Sequence, residues 1–498
     1  MAMMGLDIGT SGCKSTILND NFEICAGSYL EYPAVRSGGS HVLDANLVWQ
    51  NVKQVMAESL RQSGGQRIEA ISISSFGEAF VLVDEHSNVL DYSMLYTDNR
   101  GKLECEELTR ALGEEAIINV TGINPHQMYS INKLCWIKKN QPEIFGKAYK
   151  AFQFEDFIIH MLTGECAVDY SLASRTMAFD IRKKVWWQDM FAAAGIDSSI
   201  FGKPVPAGTI VGEVKTALAE ELGLPRGVKV VMGAQDQVCA AVGSGVLSVG
   251  MAVDGSGTVE CITPLFDAPI TNKTVQQKGY VCVPYAIEDM YATYAFTFTG
   301  GLLLKWYRDN LARYERQLAE AEGKGIYQYL DAQVPHDPSG LLVIPHFAGA
   351  ATPYMDDTAR GAILGMTLET TSIDIYHALM EGVAFEMRTN METLREQGVR
   401  FDVLRATGGG ANSRVWLQMK ADILGLPITA LKNGEAGTVG ACMIASVALG
   451  KHRDLEDAAR DYIRLGRVYE PDPARAARYD ALYEKYQRMY AGLKDILR

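Results

Sequence analysis

Near the middle of the chain lies Val230-Val-Met-Gly-Ala-Gln-Asp236-Gln-Val-Cys-Ala-Ala-Val-Gly-Ser-Gly245. Its apolar start predicts a buried strand that stops at Gly233, and the small residues 238–242 predict a helix that can pack closely against a neighbour. Asp236 would then stand just past the strand end, which is the usual position of a reacting carboxylate in an α/β protein. The same residue could instead only cap the helix, and the stretch alone does not decide between these roles.

The composition limits the class of protein. With 498 residues the chain is too long for one ordinary core, so two large domains are predicted. The net charge of −13 disfavours nucleic acid and anionic membranes as partners, and no apolar run is long enough to span a bilayer. Nine cysteines without a Cys-x-x-Cys pair, and an N-terminus without a signal pattern, predict reduced thiols in the cytoplasm. The eight histidines lack His-x-x-x-His spacing, which disfavours a zinc site.

The first half of the chain mixes strand and helix patterns. Strands are predicted at residues 3–7, 13–18, 23–28, 68–74 and 80–83. A helix with Asp44 as its N-cap is predicted between the third and fourth of these strands. The fold class is therefore predicted to be α/β.

Two Gly/Ser/Thr turns follow short apolar runs, Asp7-Ile-Gly-Thr-Ser-Gly12 in the first half and Asp254-Gly-Ser-Gly-Thr258 in the second. Such turns let backbone N–H groups reach phosphate oxygens. Candidate hydroxyl donors are Thr10, Ser11, Ser256 and Thr258, and Lys14 could add a positive charge. Asp7 could hold a magnesium ion, directly or through water. Neither turn is a Walker A motif, and each alone could be an ordinary hairpin.

Three successive glycines, Gly408-Gly409-Gly410, lie between a predicted strand and a predicted helix. Two explanations stay open. A flat group such as adenine could lie against the backbone, or the strand-to-helix connection could simply be tight.

A third set of polar residues occurs in Ser75-Phe-Gly-Glu-Ala79 and Tyr96-Thr-Asp-Asn-Arg100. Carboxylates and an arginine near strand ends can pair with sugar hydroxyls, which makes Glu78, Asp98 and Arg100 candidates. The alternative is a surface ion pair of little energetic value.

In this order, these stretches resemble the FGGY family of carbohydrate kinases, within the actin/Hsp70/sugar-kinase superfamily. The resemblance covers nearly the whole chain. The matching segments are 6–14, 96–100, 162–165, 233–237, 255–258, 359–365, 381–385, 408–413 and 421–424.

The resemblance implies two ribonuclease-H-like domains around a deep central cleft, at residues 1–244 and 245–498. Sugar would bind mainly to the first domain and ATP with magnesium mainly to the second. Asp236 matches the family's general base, and Asp7 matches its metal-linked carboxylate. The other residues that match the ATP site are Thr10, Ser11, Ser256, Gly257, Thr258, Gly300, Gly301, Gly409, Gly410 and Asn412. Closure of the domains over the sugar is expected to suppress hydrolysis of ATP by water.

The family covers ketoses, deoxyketoses and polyols. Expected sugar contacts are Glu78, Asp98 and Gln237 for hydroxyl groups, with Phe76 as an apolar wall beside Gly77. Around Gly77-Glu78 a xylulokinase usually shows Met-His and a glycerol kinase shows Arg-Glu, and this chain matches neither pair. The acid of the glycerol kinases is kept and the cation is missing, so glycerol is the less expected substrate. A linear ketopentose such as xylulose is the first choice.

Two alternatives stay open beside the ketose kinase. One is a polyol kinase of the glycerol or erythritol type. The other is an ATP-driven switch like actin or Hsp70, which would not need the acids Glu78 and Asp98. A homodimer is possible, but the sequence does not decide the oligomeric state.

Overall fold

The computed structural model of the chain describes residues 2–432 and 434–497. Strands and helices alternate through both halves, which confirms the predicted α/β class. The strands of the first half are β1 (Ala2–Ile8), β2 (Gly12–Leu18), β3 (Ile24–Glu31), β4 (Val35–Ser37), β5 (Ser40–Leu43), β6 (Ile68–Ser75), β7 (Phe80–Val83), β8 (Ser93–Met94), β9 (Lys150–Gln153), β10 (Ala167–Asp169), β11 (Phe179–Asp180), β12 (Val185–Trp186), β13 (Lys203–Val205), β14 (Ile210–Glu213) and β15 (Lys229–Gln235). Its helices are α1 (Ala45–Gln62), α2 (Lys102–Leu112), α3 (Glu114–Thr121), α4 (Ser130–Asn140), α5 (Pro142–Phe145), α6 (Phe154–Thr163), α7 (Tyr170–Ser174), α8 (Gln188–Ala194), α9 (Thr216–Leu222) and α10 (Asp236–Gly243).

The second half repeats this alternation. Its strands are β16 (Gly250–Ser256), β17 (Glu260–Phe266), β18 (Val283–Pro284), β19 (Tyr291–Ala292), β20 (Ala295–Thr297), β21 (Leu342–Ile344), β22 (Ala362–Leu364), β23 (Phe401–Thr407), β24 (Ile428–Leu431) and β25 (Leu465–Tyr469). Its helices are α11 (Lys273–Gln276), α12 (Gly301–Asn310), α13 (Arg313–Ala321), α14 (Ile326–Asp331), α15 (Ser372–Arg395), α16 (Arg414–Leu424), α17 (Ala436–Ala448), α18 (Leu455–Tyr462), α19 (Pro473–Tyr486) and α20 (Met489–Leu493).

The main sheet of the first half has the order β14-β15-β6-β1-β2-β3. Strands β1, β6 and β15 run parallel, whereas β2 and β3 form an antiparallel meander beside β1. Parallel strands are usually covered on both faces, so they carry almost continuous apolar sequence. In β1 only Asp7 is not fully buried. The helix predicted after Asp44 is α1, and the Asp44 side chain accepts hydrogen bonds at its N-terminus as an N-cap should.

The main sheet of the second half has the same arrangement. Strand β16 runs parallel to β23, which runs parallel to β24, and β17 lies antiparallel to β16 on the other side. The two Gly/Ser/Thr turns therefore occupy matching places, after the first strand of each sheet. The expected boundary between residues 244 and 245 falls between α10 and β16 and stays a prediction.

Helices α10 and α17 pack against each other at the junction of the halves, with glycines at the contact. A Cβ on Gly243 would lie 1.9 Å from Ala436 O, and one on Gly440 would lie 1.9 Å from Cys239 O. No side chain fits at either position. The close packing predicted for the small residues 238–242 is therefore confirmed, and the helix that begins with Asp236 rests directly on the second half.

The predicted end of the central strand at Gly233 is wrong, because β15 continues to Gln235. Gly233 lies inside the strand, where a Cβ would stand 1.8 Å from Ile73 O of β6. The glycine thus permits a close approach of two parallel strands, with a register shift between Val231 and Ala234.

Over the residues that the structure describes, no helix combines the length and the apolar composition needed to cross a bilayer.

Candidate active site

Asp236 is the first residue of α10 and is half-buried at the carboxyl end of β15. Burial raises its pKa to about 7, and the charges of Asp7 and Glu78 add to the shift. The helix cap is Gln235, whose side chain accepts a hydrogen bond from the backbone N–H of Gln237. Asp236 is therefore not the N-cap, and its carboxylate stands among other acids with a pKa suited to accepting a proton near neutral pH.

The turn between β1 and β2 is a tight loop that is stabilised by its own backbone and by a tyrosine side chain. Gly9 N–H donates to Gly12 O at 2.9 Å, and the hydroxyl of Tyr32 donates to Gly9 O at 2.6 Å. The tip carries Thr10, which is half-buried, and Ser11, which is exposed. Both expected phosphate contacts therefore lie at the surface of a rigid turn.

Asp7 precedes this turn and faces the same region as Asp236. Its Oδ1 accepts a hydrogen bond from the hydroxyl of Ser74 at 2.8 Å. Burial raises the pKa of Asp7, while Ser74 and the charge of Lys14 act in the opposite direction. Lys14 itself pairs with Glu435 of the second half at 2.6 Å, so in this structure its charge is shared with a protein carboxylate.

Glu78 forms a buried ion pair that the sequence did not indicate. Its Oε1 accepts from Arg175 Nε at 2.6 Å, and the Arg175 guanidinium lies over the ring of Tyr129. Burial acts to lower the pKa of Arg175, but Glu78 together with Tyr129 and Tyr294 prevails and raises that pKa. A Cβ on Gly77 would stand 2.8 Å from Arg175 Cγ, so the glycine provides the space that the arginine fills.

Asp98 is more enclosed than its expected role requires. It has no exposed surface and accepts hydrogen bonds from the Arg100 guanidinium and from the backbone N–H of His41. Burial acts to raise its pKa, but these hydrogen bonds prevail and lower it. The surface-pair alternative is therefore wrong for Glu78 and Asp98, and Asp98 lies behind the surface with its oxygens already engaged.

The two remaining sugar candidates differ in exposure. Phe76 is 5% exposed and packs on Phe154 in the core of the first half, so it supports the site from behind. Gln237 is half-buried in the first turn of α10, next to Asp236.

A cavity of about 890 Å³ opens in the second half, a size that suits a nucleotide. Predicted residues in its lining are Ser256, Gly257, Gly301, Gly409, Gly410 and Asn412. Aromatic and polar side chains that were not predicted complete it, among them Tyr327, Asp331, Tyr376 and Arg414. Six of the expected ATP residues are thus brought to one cavity.

Gly300 and Gly301 support the second turn. The N–H of Gly301 donates to Gly257 O at 2.8 Å, and that of Gly300 donates to Thr258 O at 3.1 Å. A Cβ on Gly301 would lie 2.6 Å from Gly257 O. The glycine pair lets the start of α12 lie against the turn.

The hydroxyl of Ser256 is not available to a phosphate in this structure. It donates to Glu260 Oε1 at 2.9 Å and accepts from Lys420 Nζ at 2.6 Å. Lys420 also pairs with Asp254 at 2.8 Å, and all four residues are buried. The second turn therefore rests on a closed ionic network.

The glycine triplet makes a tight strand-to-helix connection at two of its positions, and adenine binding against it stays a prediction. Gly408 has φ 84°, and a Cβ there would stand 2.5 Å from Ser256 O. A Cβ on Gly410 would meet the side chains of Ser256 and Trp416. These two glycines serve a tight connection, and Gly409, which is exposed, lines the cavity together with Gly410.

Comparison with known families decides the class of enzyme. The model of the FGGY family of carbohydrate kinases, N-terminal domain, matches residues 2–243, and that of the C-terminal domain matches residues 263–449. The chain belongs to the FGGY family of carbohydrate kinases. This FGGY kinase is therefore an ATP-dependent sugar phosphotransferase, and the alternative of an ATPase switch without a sugar acceptor is set aside.

Relatives span the whole chain. The xylulose kinase of Bacillus subtilis is 29% identical over 499 residues, which cover 99% of this chain and 97% of that protein. The gluconokinase of the same organism is 28% identical, with coverage of 96% and 98%. The crystal structure of a xylulose kinase from Rhodospirillum rubrum is similar with a TM-score of 0.89 and 28% identity, and each chain is covered completely. This similarity confirms the predicted two-domain, actin-like fold of the FGGY kinase.

Sequence reasoning missed three side chains close to Asp236 in this FGGY kinase, namely Arg175, Gln235 and Tyr294. Tyr294 donates to Gln235 Oε1 at 2.6 Å, and Arg175 pairs with Glu78. Gln235 adjoins the candidate base, so the polar turn was a usable signal. The other two are 97 and 59 residues away from their partners, and no local pattern indicates them.

Proposed function

We propose that the chain transfers the γ-phosphoryl group of ATP to a hydroxyl group of a small neutral ketose, with a pentulose such as xylulose as the first choice. The observation that carries this proposal is the carboxylate of Asp236, whose pKa burial raises to about 7, beside the Glu78–Arg175 ion pair. The sugar would bind mainly to the first half and ATP to the cavity of the second.

In the proposed reaction Asp236 accepts the proton of the sugar hydroxyl as its oxygen bonds to the γ-phosphorus. The bond from that phosphorus to the β–γ bridging oxygen breaks, and ADP leaves with the electron pair. A sugar hydroxyl is a weak nucleophile, so a positioned base assists it. Most of the remaining catalysis comes from in-line positioning and from stabilising the phosphoryl charge. Thr10 and Ser11 would act on that charge from the first turn.

Magnesium is the expected companion of ATP. Asp7 suits it, because its carboxylate lies near two other acids, Asp236 and Glu435, where a cation relieves repulsion. No cluster of three metal-ligating side chains occurs within residues 2–432 and 434–497. This agrees with Mg²⁺, which typically takes one or two carboxylates and completes its shell with water and phosphate oxygens. Asp7 would hold the ion, directly or through water, and the ion would neutralise phosphate charge.

A neutral substrate is favoured by the charges around the base. Arg175 is already paired with Glu78, and Asp236 and Asp7 add negative charge nearby. A sugar acid would bring a further carboxylate into a region that already holds these three acids. Gluconate, the substrate class named for one relative, is therefore a poor fit.

A polyol is the second candidate, and one observation favours it. The sequence argument against glycerol was the missing cation beside Glu78. Arg175 supplies that cation from α7's C-terminal end, in the space left by Gly77. The missing-cation argument is therefore wrong, and an Arg–Glu pair is present by another route.

A substrate screen tests the proposal. ADP release is measured with ketopentoses, ketohexoses, gluconate, glycerol and erythritol, and kcat/KM is compared. We expect the highest value for a ketopentose and a value at least about 100-fold lower for gluconate, since a site with buried polar groups discriminates strongly. Highest kcat/KM with glycerol would establish the polyol alternative, and highest kcat/KM with gluconate would overturn the neutral-substrate argument.

A single methyl group tests the Arg175 contact. Gly77→Ala should displace the guanidinium without removing its charge, and we expect KM for the sugar to rise about tenfold with a smaller change in kcat. Gly492→Ala in α20 is the matched control, because its added Cβ meets nothing within 4 Å. An unchanged KM in Gly77→Ala would remove Arg175 from the sugar site.

A further inference from the structure

The carboxylate of Asp236 is held by its two neighbours in the chain, and both bind the same oxygen. Gln235 Nε2 donates to Oδ1, and so does the backbone N–H of Gln237, at 2.7 Å. A carboxylate oxygen accepts about two hydrogen bonds, so Oδ1 is satisfied. Within the part of the chain that the structure describes, no hydrogen bond reaches Oδ2. That oxygen is left as the one that can take up a proton.

The side chain of Gln235 is itself fixed by two donors. Its Oε1 accepts from the hydroxyl of Tyr294 at 2.6 Å and from the backbone N–H of Gln237 at 3.0 Å. Because both partners donate, they define the oxygen end of the amide and direct its NH₂ end to Asp236. Burial raises the pKa of Tyr294, which keeps its hydroxyl a donor.

The backbone of this turn is anchored separately by the first half. Glu155 Oε1 accepts from Gly233 N–H at 2.7 Å, and the hydroxyl of Ser171 accepts from Gln235 N–H at 2.8 Å. Tyr294 lies between β19 and β20 of the second half. The Tyr294–Gln235 hydrogen bond therefore joins the turn before Asp236 to the second half.

We propose that Gln235 is a positioning residue that makes Oδ2 of Asp236 the proton acceptor, and that Tyr294 ties this orientation to the approach of the second half. The proposal rests on the proposed role of Asp236 as the base. When the halves separate, Tyr294 leaves Gln235 Oε1, and the amide can turn its oxygen toward the carboxylate. The base is then misoriented until closure, which limits the transfer of the phosphoryl group to water.

The hydrogen bonds from Tyr294 to Gln235 and from Gln235 to Asp236 are called the relay below. Two variants test this relay with the complete chain, MgATP and the best substrate of the screen. Tyr294→Phe removes one hydroxyl, and Gln235→Met keeps the volume but removes the amide. We expect kcat to fall about tenfold in the first and about 100-fold in the second, because a hydrogen bond to a charged group is weakened or lost. KM for the sugar should stay within about threefold, since neither group is placed on the substrate.

The pH profile of kcat/KM gives a readout that a merely structural role would not move. An N–H donor favours the ionised form of Asp236, so its loss raises the pKa, and the acid limb moves to higher pH. Both variants keep the titratable and charged groups that face Asp236, except that Tyr294→Phe removes the phenol hydroxyl of Tyr294. These groups are Asp7, Glu78, Arg175, Tyr96, Tyr294 and Cys261.

Tyr285→Phe is the matched control. It removes another buried tyrosine hydroxyl from the same region, one that donates to Val246 O at 2.8 Å. We expect kcat within about twofold of wild type and no change in the acid limb. Adding Tyr294→Phe to Gln235→Met should lower kcat by less than about twofold further, since both residues act through one contact.

The outcomes distinguish a failure of the relay from a failure of the proposed role of Asp236 as the base. An unchanged kcat and acid limb in both single variants, with an inactive Asp236→Asn variant, would overturn the relay and keep the base. Near-normal turnover in Asp236→Asn would instead overturn the proposed function. A loss in Tyr285→Phe equal to that in Tyr294→Phe would show a general packing effect and also overturn the relay.

Discussion

Asp7 and Asp254 occupy matching places in the two halves, on the first strand of each sheet before a Gly/Ser/Thr turn, but their surroundings differ. Asp7 is half-buried and accepts a hydrogen bond from Ser74. Asp254 has no exposed surface and pairs with Lys420 at 2.8 Å. The protein thus neutralises Asp254 internally, whereas the proposed function gives Asp7 a partner outside the chain. A repeated motif indicates a repeated backbone, whereas its chemical role depends on the charges placed beside it.

The largest loss of activity is expected from replacing Asp236. Asp236→Asn removes the proposed base but keeps the shape of the side chain, so kcat should fall about 1,000-fold or more. The measurement is steady-state ADP release with the best substrate. A turnover close to that of wild type would exclude Asp236 as the base.

Replacing the two matching aspartates should divide activity from stability. Asp7→Asn is expected to lower kcat about 100-fold with little change in unfolding, because the proposed role of its charge is to hold the magnesium ion of ATP. Asp254→Asn should keep most activity in the folded fraction but lower the free energy of unfolding by about 3 kcal/mol, because it breaks a buried pair. Denaturant unfolding and kcat are measured for both. Equal effects of the two substitutions would contradict the comparison.

Lys420 of the second half and Lys14 of the first half should also differ in how much each contributes to the free energy of unfolding. Lys420→Met leaves Asp254 and Glu260 buried without their cation, and should cost about 3 kcal/mol or more. Lys14→Met removes a pair with Glu435 whose side chains are 33% and 36% exposed, so its cost should stay below about 1 kcal/mol. Urea midpoints at equal slope test this difference. A larger loss of unfolding free energy for Lys14→Met than for Lys420→Met would contradict this comparison.

The dependence of activity on pH follows from the raised pKa of Asp236. Burial raises that pKa to about 7, and only the ionised form accepts a proton, so activity is lost as pH falls through about 7. At one unit below the pKa, kcat/KM should be about tenfold lower. Profiles are recorded for wild type and Asp254→Asn, which should share the same acid limb. An acid limb of the kcat/KM profile near pH 4 would contradict the argument that burial raises the pKa of Asp236.

Local patterns predicted most of the fold and part of the site. The apolar run and small-residue helix around Asp236, the cap Asp44 and both turns depend on residues close together in sequence, so they were recognisable. The end of the strand at Gly233 was misplaced because a glycine can also admit a neighbouring strand. The homodimer, the domain boundary and the roles of the site residues stay predictions.

Distant partners explain what the sequence could not indicate. Arg175 reaches Glu78 from 97 residues away, and Lys420 reaches Asp254 from 166 residues away. Neither pair leaves a periodic or spaced signal, because tertiary packing alone brings the charges together. The exposed or engaged state of a carboxylate such as Asp98 depends on the same long-range contacts.

The division of labour between Asp7 and Asp236 is tested most directly by MgATP binding without turnover. Calorimetry measures the Kd of ATP for Asp236→Asn and Asp7→Asn, with and without Mg²⁺. The account predicts that Asp236→Asn binds MgATP within about threefold of wild type and that Asp7→Asn loses most of the Mg²⁺-dependent gain in affinity. The reverse result, with that gain lost in Asp236→Asn and kept in Asp7→Asn, would contradict it.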